Sequence, residues 1–184
     1  MKYIILNLFL SLTILLASGE GVAEESLPKI VVLAFQLDDR TGLPNAPEEL
    51  IRIELLTSTF KNQLSNKGLT IIPSSVKVQD EINKNSPSYL YENVETAADL
   101  NKDTNADYLV IGVAFKPTYL FVYPRLLIVD MKTKKVVMSK YAQLESSWLD
   151  QNTTIRTAEK LAETVKERLD LLTEKTVEKM RKLP

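Results

Sequence analysis

The adjacent carboxylates Asp38 and Asp39 are the best candidates for a chemical site. They follow an apolar run that predicts a central strand, and sheets with helical crossovers often bind ligands just beyond the carboxyl ends of their strands. A hard cation needs six or more oxygens, and Glu48 or Glu49 would add only a few, without EF-hand spacing. The sequence therefore predicts a ligand- or partner-binding edge without a metal ion. The alternative is a solvated turn that one aspartate supports.

Two absent residue types limit the remaining chemistry. The 184-residue chain contains no histidine and no cysteine. Ser-His-Asp and Cys-His catalysis, thiol redox chemistry and the usual zinc, copper and haem sites depend on them. The sequence thus excludes most common catalytic and redox mechanisms, and we expect no cofactor. A hydrolase that uses two carboxylates in one pocket remains the alternative to a non-catalytic protein.

Lys116 and Trp148 are the other side chains with a possible role. Lys116 directly follows a predicted buried strand, so it is either a lysine with a perturbed pKa or one whose ammonium group reaches solvent. Trp148 is the only tryptophan. It either anchors the last predicted helix on the sheet or forms an exposed binding hot spot. Four tyrosines, far apart in sequence, are candidates for an aromatic surface: Tyr89, Tyr91, Tyr119 and Tyr123.

The charge pattern indicates no nucleic-acid partner. The chain has 23 basic and 24 acidic residues, which gives a net charge of -1. The charges are interleaved along predicted helices, whereas a nucleic-acid-binding protein normally shows a clustered basic stripe. No glycine-rich phosphate loop is found either.

The first 23 residues predict an exported protein. A lysine at position 2, an apolar core up to Leu16 and a segment of mainly small residues ending at Ala23 are typical of a secretory signal peptide. We expect cleavage after Ala23. Without a lipobox cysteine, no lipid anchor is predicted. The expected product is a soluble periplasmic protein without a membrane anchor.

The mature chain of 161 residues predicts one domain, residues 24–184. Residues 24–28 are expected to form a disordered leader, and residues 174–184 either a fraying helix end or a helix that docks a partner. The predicted strands are residues 29–37, 69–72, 106–115, 119–130 and 136–144. The predicted helices are one from Pro47 to the residue before Gly68, a weak one to about residue 84, residues 95–105, and a long final helix capped by Asn152.

These elements predict an α/β fold. We expect a mixed sheet of about five strands with a C-terminal β-hairpin, packed by two or three helices that include a long C-terminal helix. The first and last helices should cover one face. Gly112 in mid-strand predicts a bulge or a close approach by another backbone, and Pro124 predicts an edge position or a bulge.

Several stretches together resemble the DUF2380 or DUF3280 family of uncharacterised secreted bacterial proteins. They are KIVVLAFQLDD at residues 29–39, the helix with Arg52, ADYLVIGVAFKPTYL at 106–120, LLIVDMKTKKVV at 126–137, and Ser-Ser-Trp at 146–148. More distantly, the chain looks like periplasmic domains of the TolB N-terminal, CsgG and LpoB type, which are binding and assembly modules.

The resemblance implies that Asp38, Arg52, Lys116 and Trp148 match recurring family residues. It also implies an accessory role near quinoprotein alcohol dehydrogenase systems. The chain departs from the family in its hairpin turn, where Lys134 replaces a glycine that would cost ~1 kcal/mol less in a left-handed conformation. It departs again at residues 143–145, where Gln-Leu-Glu replaces an Arg-Gly-Asn stretch.

The resulting hypothesis is an exported binding or accessory module without catalytic activity. It would recognise a protein partner or a small ligand at the edge formed by Asp38 and Asp39, with Arg52 and Lys116 as possible charge partners. An internal salt bridge with Asp38 is the structural alternative. A third reading is an envelope structural subunit that associates with itself through the hairpin of residues 119–144 or the C-terminal helix.

Overall fold

The computed structural model describes residues 27–144, 147–148 and 150–182. The predicted signal peptide and most of the predicted leader lie outside this part. The strands are β1 (Lys29–Val32), β2 (Gln36–Asp39), β3 (Thr70–Ile72), β4 (Tyr108–Thr118), β5 (Phe121–Asp130) and β6 (Lys135–Tyr141). The helices of the described part are α1 (Pro47–Asn66), α2 (Val76–Lys84), α3 (Tyr89–Glu92), α4 (Val94–Leu100) and α5 (Gln151–Arg181), with a 3-10 turn at Lys102–Thr104.

The strands form one open mixed sheet. Its order is β3-β1-β4-β5-β6, and β2 pairs with β4 farther along the same side as β1. β1 is parallel to β3 and β4, and β2 is parallel to β4, whereas the β4–β5 and β5–β6 pairs are antiparallel. The predicted α/β class, mixed sheet and C-terminal hairpin are therefore confirmed.

The single strand predicted at residues 29–37 is wrong, because the chain forms two strands there. Val32 pairs with Val110 and Gln36 with Val113, so three residues of the first segment oppose two of β4. This extra residue is the mark of a bulge. The ring of Phe35 lies over Gly112, where an added Cβ would come within 2.4 Å of its Cε1 atom. The bulge predicted at Gly112 is thus found in the segment opposite it, and the group that approaches the glycine closely is a ring, not another backbone.

Helices cover both faces of the sheet. The first face packs against α1 and α5, as predicted for the first and last helices, and its core includes Leu56, Phe60 and Leu169. The second face packs against α2, α3 and α4, around residues such as Leu109 and Val129. The described part contains more helices than the two or three predicted. No helix among the described residues is long and apolar enough to cross a membrane.

Capping interactions fix where the two long helices begin and end. Gly68 follows α1 with a φ of 85°, the left-handed conformation predicted for it. The start of α5 differs from the prediction, because the carboxylate of Asp150, not Asn152, caps it. Asp150 accepts hydrogen bonds from the backbone N–H groups of Asn152 and Thr153 at 3.2 and 3.1 Å. A carboxylate is also favoured there by the helix dipole.

Pro124 occupies an interior strand, so the predicted edge position is wrong. β5 lies between β4 and β6, and Pro124 opposes Ala114 of β4. On the other side, the last pair of the β5–β6 ladder joins Arg125 to Tyr141. The carbonyl of Pro124 accepts a hydrogen bond from Ala142 at 2.7 Å, immediately after β6. The proline is tolerated because it lies where the ladder stops.

Candidate functional site

Asp38 and Asp39 are adjacent in sequence but belong to opposite faces of the sheet. In the parallel pairing of β2 with β4, Asp38 is level with Phe115 and Asp39 with Lys116. Successive side chains of a strand point to opposite faces, and paired residues share a face. Asp39 therefore lies on the first face, beside α1, and Asp38 on the second face. The two carboxylates do not form one site.

On the first face, Lys116 joins two carboxylates. Its Nζ atom is 2.8 Å from Oδ2 of Asp39 and 2.5 Å from Oε1 of Glu49. The three side chains are between 5% and 9% exposed. Backbone N–H groups complete the arrangement, because Thr41 donates to Asp39 at 2.7 Å and Ala46 to Glu49 at 3.2 Å. We call Asp39, Glu49 and Lys116 the buried charge cluster.

The buried charge cluster keeps its ammonium group protonated. Burial alone raises the pKa of Asp39, but the hydrogen bonds from Lys116 and Thr41 and the nearby positive charge hold that pKa below its ordinary value. Burial alone lowers the pKa of Lys116, but the hydrogen bonds to Asp39 and Glu49 and their charges raise it above its ordinary value. Lys116 is thus a cation that links β2 and α1 to β4, not a free amine for nucleophilic or base catalysis.

On the second face, Asp38 is paired with Arg40. Nε and Nη2 of Arg40 lie 2.6 and 3.0 Å from the two carboxylate oxygens of Asp38, in a two-point contact. The Asp38 side chain is 8% exposed and that of Arg40 is 54% exposed. The carboxylate of Asp38 is therefore buried, and the guanidinium group of Arg40 is the part of the pair that is exposed to solvent at this edge.

The two remaining sequence candidates lie on α1 and in the core. Arg52 is half-buried on α1, one turn after Glu49. Trp148 is 5% exposed and belongs to the core of the first face together with residues of α5. This burial agrees with the helix-anchoring interpretation of the tryptophan. Its indole N–H has no hydrogen-bond partner among the described residues.

The two carboxylates that line a groove beside the last helix are not arranged as the acid pair of a glycosidase. No group of three or more acidic side chains suited to a metal ion occurs in the described part. A groove of about 580 Å3 between the end of β6 and α5 contains Glu163 and Glu167. These residues are one turn apart on one helix, and Glu163 is already paired with Lys67. Glycoside hydrolysis needs two carboxyl groups on opposite sides of the substrate, which this arrangement does not provide.

An aromatic concavity of about 370 Å3 opens on the second face. It is lined by four rings and the guanidinium group of Arg125; the rings are those of Tyr91, Phe115, Tyr123 and Tyr141. Lys140 also borders it, but Lys140 pairs with Leu126 of the first-face core, so its side chain belongs to the other face. The sheet register produces the concavity, because Phe115 pairs with Tyr123, and Arg125 pairs with Tyr141. Cζ of Arg125 lies 3.9 Å from the centre of the Phe115 ring, within cation–π range.

Exposed apolar side chains gather near the same end of the sheet. They come from the loop after β2, the first turn of α1 and the turn between β4 and β5: Leu43, Leu50, Ile51, Tyr119, Leu120 and Phe121. Each is more than half exposed, from 52% for Leu50 to 75% for Tyr119. The buried charge cluster holds these three segments at one end. We call the six residues the apolar end.

Comparison with protein families identifies the family of the chain. The model of the family DUF3280, described as "Protein of unknown function (DUF2380)", matches residues 28–151. The chain belongs to the DUF3280 family. The resemblance inferred from the sequence is therefore confirmed. A comparison with curated proteins finds no match.

Solved structures similar to this DUF3280 member include three bacterial proteins. The LpoB C-terminal domain from Escherichia coli is 16% identical, with a TM-score of 0.43 over 63% of this chain and 83% of that chain. Lipoprotein GNA1162 from Neisseria meningitidis is 12% identical, with a TM-score of 0.46 over 84% and 97%. The hypothetical protein CT253 from Chlamydia trachomatis is 13% identical, with a TM-score of 0.47 over 78% and 99%.

Sequence reasoning missed most of the aromatic concavity, although one signal for it exists. Of the four tyrosines proposed for an aromatic surface, Tyr91 and Tyr123 line it. Phe121, Tyr123 and Arg125 alternate along β5, which places them on one face. The rings of Phe121 and Tyr123 are stacked with centres 6.3 Å apart. The contributions of β4 and β6 depend on pairing registers that a single sequence does not reveal.

Proposed function

We propose that this protein is an exported, non-catalytic binding module that recognises a protein partner through the end of the sheet where β2 and β4 stop. Export and a periplasmic location are inferred from residues 1–23. The family resemblance suggests a component of a quinoprotein alcohol dehydrogenase system as the first partner to test. The observation that carries the proposal is the apolar end, which lies beside ionisable groups that are already paired internally.

The pairing of these groups favours binding over catalysis. Asp39, Glu49 and Lys116 are buried with one another, and Asp38 is covered by Arg40. A general acid or base must reach a substrate proton directly or through one water molecule. Carboxylates held in internal ion pairs and less than a tenth exposed are poorly placed for that role. Their arrangement instead stabilises the segments that present the apolar end.

The exposure of the apolar end favours a macromolecular partner. Grouped exposed apolar residues often mark interaction surfaces, whereas single exposed ones are common on any protein. Tyrosine and phenylalanine are enriched at protein interfaces, where they bury large areas. The edge predicted from Asp38 and Asp39 remains part of the proposed contact, with the Arg40 guanidinium group as its exposed charge. Arg52 and Trp148 would then support the surface from α1 and the core.

Affinity capture tests the proposal. The mature chain, residues 24–184, is used to capture proteins from a periplasmic extract and then purified components of a quinoprotein dehydrogenase system. We expect a partner that Leu120→Ser/Phe121→Ser loses by tenfold or more, on the order of a hot-spot contribution. Asp38→Ala tests the edge itself and leaves the buried charge cluster intact.

The matched control is Val76→Ser/Val136→Ser, which also removes two exposed apolar side chains. Val136 pairs with Val129, which in turn pairs with Leu109 of β4. At ~3.3 Å per residue, Leu109 lies about 30 Å along β4 from Thr118, so Val136 is far from the apolar end. This control should keep the partner. Equal capture by all variants, or no specific partner for wild type, would contradict the proposed surface.

Self-association is the second candidate function, because β6 is the last strand on its side of the sheet. An unpaired strand edge is a template for another strand. However, Lys135 and Lys140 lie on β6, and edge lysines oppose such pairing. Sedimentation equilibrium distinguishes the two functions. A monomer over the micromolar range favours the binding module, whereas an oligomer that Val136→Lys/Tyr141→Lys dissociates favours the structural subunit.

A further inference from the structure

We infer that the aromatic concavity binds an aromatic side chain flanked by carboxylates in a segment of the protein partner. The inference rests on the proposed function and deepens it, because it names the chemistry of the partner. The site is separate from the buried charge cluster, which lies on the first face of the sheet. It is also separate from the core positions of the second face that α2, α3 and α4 cover.

Incomplete coverage of the second face creates the concavity. The described helices pack over the part of the sheet that contains Leu109, Ile111 and Val129. Farther along the same strands, Phe115 and Tyr123 are only half-buried, and Tyr141 is 67% exposed. Of the described helical residues, Tyr91 borders this area. A row of rings thus remains open to an incoming side chain.

Two of the rings, those of Phe115 and Tyr123, are held in place before any partner arrives. Phe115 and Tyr123 are paired across adjacent strands, so their backbones belong to the hydrogen-bonded sheet. Arg125 lies against Phe115, and Tyr123 stacks on Phe121. The volume of about 370 Å3 falls within the range of natural binding pockets, which is roughly 300–1,000 Å3. An aromatic side chain can bind there with little ordering of the site, because offset and edge-to-face ring contacts are favourable.

The charges select an anionic occupant. The guanidinium group of Arg125 lies on this face of the sheet, and no acidic residue lies among the residues that line the concavity. Asp38 is level with Phe115, but Arg40 already neutralises it. The site is therefore locally positive in a chain whose net charge is -1.

The guanidinium group of Arg125 can still bind a carboxylate while it lies over the Phe115 ring. Its N–H donors are arranged around the edge of the planar group, where they can contact an anion edge-on. No ion pair of Arg125 is found in the described part, where its guanidinium group lies over the Phe115 ring. An aromatic side chain in the concavity would thus place neighbouring carboxylates within reach of Arg125.

A peptide titration tests this inference. The probe is a blocked synthetic peptide of alternating Glu and Phe, five residues long, added to the 15N-labelled mature chain and followed by NMR. We expect saturable shifts around residues 115, 123–125 and 139–141. Arg125→Gln and Tyr141→Ser should each raise the Kd by about tenfold, the loss typical of a binding hot spot. Lys135→Gln, at the other end of β6, should change it less than about twofold.

Three matched probes give the result that would overturn the inference. A peptide with lysine in place of glutamate, a peptide with alanine in place of phenylalanine, and phenylacetate each keep one feature of the ligand. Equal affinity for either peptide, or no saturable binding of the acidic aromatic peptide, contradicts the proposal. Tighter binding of phenylacetate assigns the site to a small aromatic acid and overturns the protein segment as its occupant. Circular dichroism checks whether Arg125→Gln folds. Tyr141→Ser provides a second variant, at a residue whose side chain is exposed.

The two proposals fail in different ways. Binding of the acidic aromatic peptide, together with capture that is insensitive to Leu120→Ser/Phe121→Ser, supports the concavity and contradicts the proposed apolar end. Capture that depends on Leu120 and Phe121, without peptide binding, supports the proposed function and contradicts the concavity as its peptide site.

Discussion

The ammonium group of Lys116 joins one carboxylate from β2 to another from α1, and all three side chains are buried. We expect Lys116→Met to lower the free energy of unfolding by about 3–5 kcal/mol, because two buried carboxylates then lose their counter-charge. Lys182→Met is the control, since it breaks an exposed pair with Glu178. It should cost less than about 1 kcal/mol. Urea unfolding measures both, and similar losses would contradict the role assigned to Lys116.

The same pair of variants gives a pH dependence with a defined sign. The pKa of Asp39 is lowered by folding, so its stabilisation is present above its ordinary pKa, about 4, and is lost as the pH falls through the folded value. The pKa of Lys116 is raised, so its stabilisation is present below about pH 10 and is lost as the pH rises through the folded value. The stability difference between wild type and Lys116→Met should therefore be largest between about pH 4 and 10 and shrink outside that window.

For individual residues, the sequence indicates which side chains are important but not which partners they contact. It singled out Asp38, Asp39 and Lys116, yet the adjacency of the two aspartates suggested one site. The structure separates them because β2 is a strand, whose period of two sends neighbours to opposite faces. Glu49 completes the buried charge cluster, and Arg40 completes the pair with Asp38. Both residues lie in segments whose position depends on the loop of residues 40–46. Such contacts depend on tertiary placement, which periodicity does not encode.

Among the elements, the hairpin turn between β5 and β6 holds a residue in an unfavourable conformation. Lys134 has a φ of 56°. We expect Lys134→Gly to raise the free energy of unfolding by about 0.5–1 kcal/mol, because glycine adopts this conformation without a Cβ clash. Lys134 also pairs with Asp99, but that exposed contact contributes little.

Lys134→Ala is the matched control for the turn. It removes the same ion pair but keeps a Cβ atom, so the difference between the glycine and alanine variants isolates the backbone effect. Thermal unfolding followed by circular dichroism measures both. Equal stability of the two variants would show that the turn does not strain Lys134.

Most elements could be predicted because each has a local cause. The apolar stripe of α1, its proline start and the glycine after it were visible in the sequence, and the family resemblance pointed to Lys134 as the left-handed turn residue. The division of residues 29–39 into β1 and β2 was not. It depends on the contact between Phe35 and Gly112, which are 77 residues apart in the sequence. Likewise, a cap by Asp150 and a cap by Asn152 are almost equivalent in sequence.

For the molecule as a whole, α5 is the element that extends past the core. It has 31 residues, or about 46 Å at 1.5 Å per residue. Among its described side chains, the last fully buried one is that of Leu169, and Leu172 is partly buried against the same core. Arg168 also ties the helix to β6, since it donates to the carbonyl of Val137 at 2.7 Å. The helix is therefore held to the domain up to about Leu172.

Removal of residues 173–184 should consequently change the free energy of unfolding by less than about 1 kcal/mol. Removal of residues 168–184 should cost about 3 kcal/mol or more, because it deletes the buried Leu169 and the contact of Arg168 with Val137. Chemical denaturation of the mature chain and both truncations measures the two steps. A large loss on the first truncation would mean that the end of α5 contributes to folding. Unchanged stability with reduced partner capture would instead assign that segment to binding. Residues outside the core can be removed without unfolding the domain, but their removal also removes any contacts that they make to a partner.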